Sequence, residues 1–156
     1  MSNELIDAFE RGGEKVLKAI AGLTRADLTA FPQPGKWSIQ QVVIHLQDSE
    51  AVAIDRMKRI IAEDKPLLIG YDENKYTANL FYDEQSVEAA AQMVDAGRRQ
   101  FARVLRRIPA SAWEKFGVHN ENGKVTLREQ VETYNRHLDH HLKFVYEKRE
   151  KLGKKM

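Results

Sequence analysis

Apolar side chains recur at every third or fourth position in four long stretches of this chain, a spacing typical of amphipathic helices. The pattern predicts helices over about 3–21, 38–62, 86–108 and 126–152. Gly12-Gly13 is the weak point of the first helix, because a glycine in a helix interior costs roughly 1 kcal/mol relative to alanine. Four helices of about 20 residues predict an all-α protein built as a four-helix bundle.

The starts of the second and fourth helices carry a specific signal. Ser38 is followed by Gln41, and Thr126 is followed by Glu129. Each pair fits a capping box, in which both side chains bond to the free backbone groups at the start of a helix. Pro109 ends the third helix, because its ring cannot continue the hydrogen-bond pattern.

The third connection between the helices runs over 109–125 and contains a turn signal. Asn122-Gly123 favours the tight turn of a small hairpin. Trp113 and Phe116 are expected to anchor this segment, whereas His119 is expected at the surface. Because the connections are long, we expect a topology other than a tight up-and-down arrangement.

The second connection, over 63–85, is rich in aromatic residues. One hypothesis is that it folds over the mouth of a site and shapes a substrate pocket, as long loops in small domains often do. The alternative is a packed connector whose rings complete the core, and the sequence leaves both open. The side chains concerned are Tyr71, Asp72, Tyr76, Phe81 and Tyr82.

Size and charge restrict the class of protein. The 156 residues suit a single domain, 1–156. The formal net charge of +2 gives no case for a nucleic acid or another strongly charged partner. No stretch approaches the roughly 18 apolar residues that span a membrane, and the first residues lack the apolar core of a signal peptide. We expect a cytoplasmic protein.

The absence of cysteine restricts the chemistry. It excludes a disulfide framework, an iron–sulfur cluster and a cysteine nucleophile. The chain also lacks a glycine-rich phosphate loop, a Gly-x-Ser-x-Gly elbow and a His-Glu-x-x-His motif. A metal ion would have to be held by histidine, aspartate or glutamate.

The histidines supply the main candidate site. His137 and His141 stand four residues apart, so both lie on one face of the fourth helix. At about 100° per residue, His141 lies inside the edge of the apolar stripe, His137 on its shoulder and His140 towards solvent. His45 lies on the shoulder of the stripe of the second helix, so the three inner histidines could converge at the rim of the bundle. The alternative of surface or hydrogen-bonded core imidazoles stays open, since periodicity alone does not join His45 to the other two.

Two carboxylates near His45 are candidate catalytic or supporting groups. Asp48 could accept a hydrogen bond from the free ring nitrogen of His45, or it could be a solvated helix acid. Glu50 lies close to the apolar stripe and could be a general base, a group that supports the metal ligands, or a side chain that extends outward. Tyr134, on the inner face of the fourth helix, is interpreted as a core residue.

Three segments together resemble the DinB/YfiT-like superfamily. They read "GKWSIQQVVIHLQDSEAVAIDRMKRIIAED", "GYDENKY" and "TLREQVETYNRHLDHHLKFV", and the resemblance covers about 35–145. It implies a four-helix bundle that is often a homodimer. It also implies a divalent metal held by three histidines, which match His45, His137 and His141.

Three imidazoles leave a divalent ion with an open coordination position, the pattern of catalytic rather than structural zinc sites. Zinc or nickel is expected, and iron or manganese would also suit these ligands. Members of the family include thiol S-transferases, a thiol-dependent isomerase and proteins described as metal-dependent hydrolases, so the resemblance indicates a small-molecule substrate.

Three functions therefore stay open. The first is transfer of a low-molecular-weight thiol to an electrophilic small molecule, in which the thiol is a co-substrate because the chain has no cysteine. The second is hydrolysis by metal-bound hydroxide with a carboxylate base such as Glu50. The third is a non-catalytic metal-binding helical module.

Overall fold

A computed structural model of the chain describes residues 3–156. The helices in this range are α1 (Asn3–Ile20), α2 (Arg25–Thr29), α3 (Ile39–Ala62), α4 (Glu73–Asn79), α5 (Val87–Leu105) and α6 (Leu127–Lys151). The strands are β1 (Leu67–Leu68), β2 (Phe116–His119) and β3 (Gly123–Thr126). The four predicted helices are confirmed as α1, α3, α5 and α6. The short helices α2 and α4 were not predicted, because they are too short to show a periodic stripe.

Both predicted capping boxes are formed. The backbone N–H of Gln41 donates to Ser38 Oγ and the N–H of Ser38 donates to Gln41 Oε1, each at 3.1 Å. At the start of α6, the N–H of Glu129 donates to Thr126 Oγ1 at 3.2 Å, and the N–H of Thr126 donates to Glu129 Oε2 at 2.8 Å. These bonds fix where α3 and α6 begin, and with them the height of every side chain along the two helices.

The hairpin predicted at Asn122-Gly123 is also confirmed. Strands β2 and β3 pair antiparallel, and Gly123 adopts a left-handed φ of 70° in the turn. The expectation for His119 is wrong, since this residue is only 5% exposed. Strand β1 pairs parallel with β2, with Leu68 opposite His119, and this pairing of segments far apart in sequence places His119 on the covered side of β2.

The four long helices pack in an order different from their order in the chain. Helix α1 packs against α5 and α6, and α3 packs against the same two helices. The consecutive pairs α1–α3 and α5–α6 therefore lie diagonally across the bundle while α3 and α5 are neighbours, a topology other than up-and-down, as expected from the long connections. Gly12 and Gly13 serve this packing, because a Cβ at either position would overlap with Arg98 or Asp95 of α5. Their cost to the helix is thus offset by the close approach of α1 and α5.

Two apolar clusters fill the bundle, one near each end. Along each long helix they are separated by a short run of polar or small residues, which we call the middle layer. It comprises Gly12, Gly13, Ser49, Glu50, Asp95, Arg98, Asn135 and His137, and His45 lies at its edge between Ile44 and Leu46 of one cluster. Because apolar side chains turn inward on both sides of it, polar groups in this layer are held in a largely dry environment. None of the helices within residues 3–156 has the length and apolar character needed to cross a membrane.

Candidate metal centre

Three histidines from two helices meet at the edge of the middle layer. His45 comes from α3 and is fully buried, while His137 and His141 come from successive turns of α6 and are partly buried. One ring nitrogen of each lies within 4.8 Å of one ring nitrogen of the other two. Nε2 of His45 lies 3.3 Å from Nε2 of His137. The helices thus bring together the three side chains that the sequence singled out, including the His45 that periodicity could not place.

Burial keeps these imidazoles neutral. Loss of hydration lowers the pKa of His45 to about 4, with a further lowering by the neighbouring His137. Burial likewise lowers the pKa of His137 to about 4, assisted by the charges of His140 and Arg98. It lowers the pKa of His141 to about 3, assisted by the other histidines. A neutral imidazole is the form that binds a metal ion.

Trp37, just before α3, covers one side of the cluster. The centroid of the Trp37 ring system lies 5.0 Å from that of the His45 ring and 6.5 Å from that of the His141 ring. The planes of Trp37 and His141 are nearly parallel, with an angle of 14° between them. An indole in this position restricts the rotation of both imidazoles and keeps water from that side. The capping box at Ser38 places Trp37 here, because it sets the residue at which the chain enters α3.

Oxygen atoms from α3 and from the 63–85 connection lie on another side of the cluster. Ser49 Oγ lies 3.4 Å from Nε2 of His45 and is hydrogen-bonded to the hydroxyl of Tyr71. A carboxylate oxygen of Glu73, in the first turn of α4, lies 3.6 Å from the same His45 nitrogen. The side chain of Glu73 is 51% exposed, so it can exchange protons with solvent. Part of the 63–85 connection therefore borders the site, as one of the two hypotheses held.

The alternative hypothesis, a packed connector whose rings complete the core, applies to a different part of the 63–85 connection. Tyr82 is 1% exposed and belongs to one of the apolar clusters, so it completes the core. Phe81, in contrast, is 71% exposed. Within the connection, the segment around Tyr71 and Glu73 faces the histidines, while Tyr82 packs as a structural connector.

Asp48 does not orient His45. It accepts a hydrogen bond of 2.6 Å from the hydroxyl of Tyr82, and Nδ1 of His45 has no hydrogen-bond partner among the described residues. The suggested hydrogen bond between the two side chains is therefore not formed. The physical reason is the turn of the helix, which directs Asp48 towards the segment that carries Tyr82.

The carboxylate of Glu50 likewise contacts a residue other than the histidines. Its carboxylate accepts a hydrogen bond of 2.8 Å from Arg98 of α5, and the side chain is only 6% exposed. Burial raises the pKa of Glu50, while the positive charge of Arg98 acts in the opposite direction. The hypothesis that Glu50 extends outward is wrong, and its contact is with α5 rather than with the histidines of α6. Glu50 lies five residues after His45 and therefore about 140° further around the helix axis, which explains why it contacts α5.

Two further expectations on α6 agree with the structure. His140 is exposed, so the His140-His141 doublet divides into one outward and one inward side chain. Tyr134 is 7% exposed, lies in an apolar cluster and accepts a hydrogen bond of 2.9 Å from Arg56. Its ring centroid is 5.9 Å from that of His137, so it supports the cluster from the core side.

A cavity of about 360 Å³ opens onto the histidine cluster. Trp37, Glu73, His141, Phe144 and Lys148 are among the residues that line it. Its lining combines two aromatic side chains with charged groups at the rim. Small-molecule sites commonly have this combination of an apolar wall and a few polar groups.

The donor set of this cluster fits a divalent metal ion. Nε2 of His45 lies 3.3 Å from Nε2 of His137, and one nitrogen of each of the three rings lies within 4.8 Å of one nitrogen of the other two, so three lone pairs can be directed at one ion. Three neutral imidazoles suit zinc, nickel, iron or manganese. His45, His137 and His141 could therefore hold one such ion and leave a coordination position open towards the cavity.

Sequence reasoning did not single out Glu73, Ser49 or the covering role of Trp37. Ser49 stands four residues after His45, a spacing that could have placed it on the same face of α3, whereas Glu73 and Trp37 lie outside α3 and α6. Glu73 follows Asp72, whose carboxylate accepts from the N–H groups of Asn74 and Lys75 and so begins α4. That start signal was present in the sequence, but nothing there indicates that α4 lies beside α3.

Comparison with known proteins places the chain in a family. The model of the DinB superfamily matches residues 8–145, so the chain belongs to this superfamily. A relative from Oceanobacillus iheyensis, named "putative metal-dependent hydrolase", is 27% identical over 140 residues, which are 90% of this chain and 81% of the relative. A relative of the same name from Bacillus mycoides is 27% identical over 157 residues, which are 98% of this chain and 90% of the relative.

Two solved structures share the fold. YfiT from Bacillus subtilis, described as a probable metal-dependent hydrolase with an unusual four-helix bundle topology, has a TM-score of 0.90 at 22% identity. The match covers 98% of this chain and 90% of YfiT. A mycothiol-dependent maleylpyruvate isomerase has a TM-score of 0.69 at 13% identity, with 90% of this chain and 58% of that chain covered. The predicted fold is confirmed by these matches.

Proposed function

We propose that this chain is a metal-dependent enzyme in which His45, His137 and His141 hold one divalent ion, and that it transfers a low-molecular-weight thiol to an electrophilic small molecule. The observation that carries the proposal is the convergence of three neutral imidazoles beside a cavity. A purely structural metal site would be closed, whereas His141 lines an open cavity. The chain has no cysteine, so the thiol would be a co-substrate.

A divalent ion at this site would supply Lewis acidity, which lowers the pKa of a coordinated thiol or water. The remaining functions would fall to the chain. The carboxylate of Glu73, 3.6 Å from His45, is placed to accept the released proton and pass it to solvent. Trp37 would form an aromatic wall of the cavity beside His45 and His141, and the paired hydroxyls of Ser49 and Tyr71 would offer hydrogen bonds to a bound substrate.

The choice of a thiol is supported by one structural neighbour, whose described activity depends on mycothiol. The second candidate is hydrolysis, which the names of the sequence relatives favour. In that reaction Glu73, rather than the Glu50 considered from sequence, would be the base, because Glu50 is paired with Arg98. Asp48 would act only indirectly, by holding Tyr82.

The first experiment measures bound metal per chain by elemental mass spectrometry on untagged protein purified without chelator. About one equivalent is expected in the wild type, and loss of the metal is expected in His45→Ala, His137→Ala and His141→Ala. His140→Ala is the matched control, because its exposed ring lies outside the cluster. A wild type that carries no metal and takes up no added zinc, nickel or manganese would refute the proposal.

The second experiment separates the two reactions. Conjugation of glutathione or cysteine to 1-chloro-2,4-dinitrobenzene, dependent on the metal and lost in His137→Ala, would support thiol transfer. Hydrolysis of activated esters without any thiol, reduced in Glu73→Gln, would support the hydrolase instead. Glu84→Gln, an exposed glutamate of the same connection, is the control for Glu73→Gln.

The homodimer and the cytoplasmic location implied earlier stay predictions. Light scattering of the purified protein after size exclusion measures the first directly. A mass of one chain, 18.0 kDa, at micromolar concentration would contradict the homodimer.

A further inference from the structure

We propose that a second cavity beside the metal centre binds a small apolar molecule that carries a carboxylate, and that Arg56 of α3 recognises the carboxylate. This cavity has a volume of about 550 Å³ and is lined by residues of α3, of the β1 segment and of the start of α4. None of the three histidines lines it. It is therefore a site separate from the cavity that opens onto His141.

Arg56 is a buried cation without an acidic partner. The residue is 8% exposed, and its guanidinium donates to the hydroxyl of Tyr134 at 2.9 Å and to the backbone oxygen of Ile69. Its Nε is buried and has no hydrogen-bond partner among residues 3–156. The neighbouring Asp55 is engaged elsewhere, in an ion pair of 2.7 Å with Arg59. No other carboxylate within residues 3–156 forms an ion pair with Arg56.

An uncompensated buried charge is unfavourable, because the lost hydration is not replaced. The positive charge of Arg56 thus lacks the anion that such a position normally requires. Two of its five N–H donors are used by neutral groups of the protein, which leaves donors for a ligand. A guanidinium binds a carboxylate with two parallel hydrogen bonds, stronger than those between neutral groups.

Apart from Asp55 and Arg59, which form an ion pair with each other, the rest of the cavity wall is largely apolar. Val52, Leu67, Leu68, Ile69, Tyr71 and Tyr76 supply most of its wall. The rings of Tyr71 and Tyr76 lie 4.7 Å apart and form an aromatic corner. Such a wall suits an apolar or aromatic body, and the single unpaired charge suits a single carboxylate at one end. The volume lies in the usual range for small-molecule sites, about 300–1,000 Å³.

Two short paths connect this cavity to the histidines. Tyr71, part of its wall, is hydrogen-bonded to Ser49, whose Oγ lies 3.4 Å from Nε2 of His45. Arg56 contacts Tyr134, whose ring lies beside His137. A molecule in the second cavity would thus be separated from the triad by two side chains along either path. Its role as the second substrate of a transfer rests on the proposed function, whereas binding of the carboxylate does not.

Binding is tested with 3-phenylpropionate and its uncharged amide, 3-phenylpropanamide, on the full chain in zinc-loaded and metal-free forms. Calorimetry gives the affinities. We expect the carboxylate to bind more tightly than the amide in both forms. Its affinity should fall about tenfold or more in Arg56→Met, the usual loss when a hydrogen bond to a charged group is removed. Arg56→Lys should recover part of the loss, and Arg103→Met, the control at an exposed arginine of α5 outside the cavity, should bind as the wild type does.

Equal affinity for the acid and the amide, or unchanged affinity in a folded Arg56→Met variant, would overturn the proposal. Should Arg56→Met not fold, nuclear magnetic resonance on the wild type decides. Shifts on 3-phenylpropionate binding at Arg56 Nε and at the amides of Ile69 and Gly70 would support it. Shifts confined to Trp37 and α6 would place the ligand at the other cavity and refute it. The metal-free form is included, so a failure of carboxylate binding can be told apart from a failure of metal binding. A negative binding result would therefore not contradict the proposed function.

Discussion

Two groups of polar side chains lie in the middle layer or at its edge, and they differ in charge and in access to a cavity. The first is the histidine triad. The second, which we call the arginine cluster, consists of Arg98 with its acceptors Glu50, Asn135 and the backbone oxygens of Phe9 and Tyr134. Both draw residues from α3 and α6, only a few positions apart. The different behaviour expected of them must therefore come from their surroundings.

The arginine cluster is charged and buried, and its charges are paired, although Glu50 Oε1 and Arg98 Nε have no hydrogen-bond partner among the described residues. Arg98 is 1% exposed and its charge is balanced by Glu50 at 2.8 Å. The triad is neutral, borders a cavity and keeps two ring nitrogens without a partner among the described residues. The first arrangement ties α1, α3, α5 and α6 together, whereas the second leaves binding capacity for a ligand. The comparison teaches that incomplete hydrogen bonds, which both groups have, do not by themselves mark a binding site in this bundle, and that the triad differs by being neutral and by bordering a cavity.

The largest effect is expected from breaking the arginine cluster. Glu50→Ala removes the one negative charge paired with the buried guanidinium of Arg98, so the free energy of unfolding should fall by about 3–5 kcal/mol. Urea denaturation measures the change. Asp55→Ala is the control, since its ion pair with Arg59 is exposed and should contribute little. If both variants are equally stable, the cluster does not hold the bundle together.

Zinc should stabilise the protein through the triad alone. At a free zinc concentration 100 times the dissociation constant, the free energy of unfolding should rise by about 2.7 kcal/mol. Thermal unfolding with and without zinc measures this gain, which should be absent in His137→Ala and retained in His140→Ala. Equal gains in the two variants would mean that zinc acts elsewhere.

A smaller loss is expected where α1 meets α5 beside the arginine cluster. Gly13→Ala would push a Cβ into the backbone at Asp95, and the better helix propensity of alanine offsets only part of the strain. We expect a net loss of about 1–2 kcal/mol by urea denaturation. Gly97→Ala is the control, because its Cβ would meet only the flexible end of Ile54 at 3.2 Å. A Gly13→Ala variant as stable as wild type would show that α1 and α5 can move apart freely.

The smallest effect concerns the start of α6, the helix that both groups share. Hydrogen bonds from the backbone and hydroxyl of Thr126 hold the pKa of Glu129 below its usual value. A lowered pKa in the folded state means that this carboxylate stabilises the protein above its unfolded pKa and that the contribution is lost as the pH falls through the folded pKa. Acid titration of unfolding from pH 5 to pH 3 should therefore affect wild type slightly more than Glu129→Gln. Glu132→Gln should behave as wild type does; identical curves for all three would exclude the linkage.

Local patterns accounted for much of this protein. The helices α1, α3, α5 and α6, the caps at Ser38 and Thr126 and the turn at Asn122-Gly123 depend on neighbours within a few residues, and all were predicted. The inward direction of His141 and the outward direction of His140 followed from helix periodicity in the same way. The family resemblance, rather than periodicity, supplied the link between His45 and α6.

Contacts between distant segments could not be obtained in this way. The partners of Asp48 and Glu50 are Tyr82 and Arg98, and the approach of Glu73 to His45 depends on where α4 docks. The burial of His119 depends on the pairing of β1 with β2. By itself the sequence determined the elements, their ends and which side of each helix turns inward, because these follow from interactions within one or two turns. Only the tertiary structure decided which inward groups find partners and which remain free to bind, because that depends on charges and cavities contributed by helices remote in the chain.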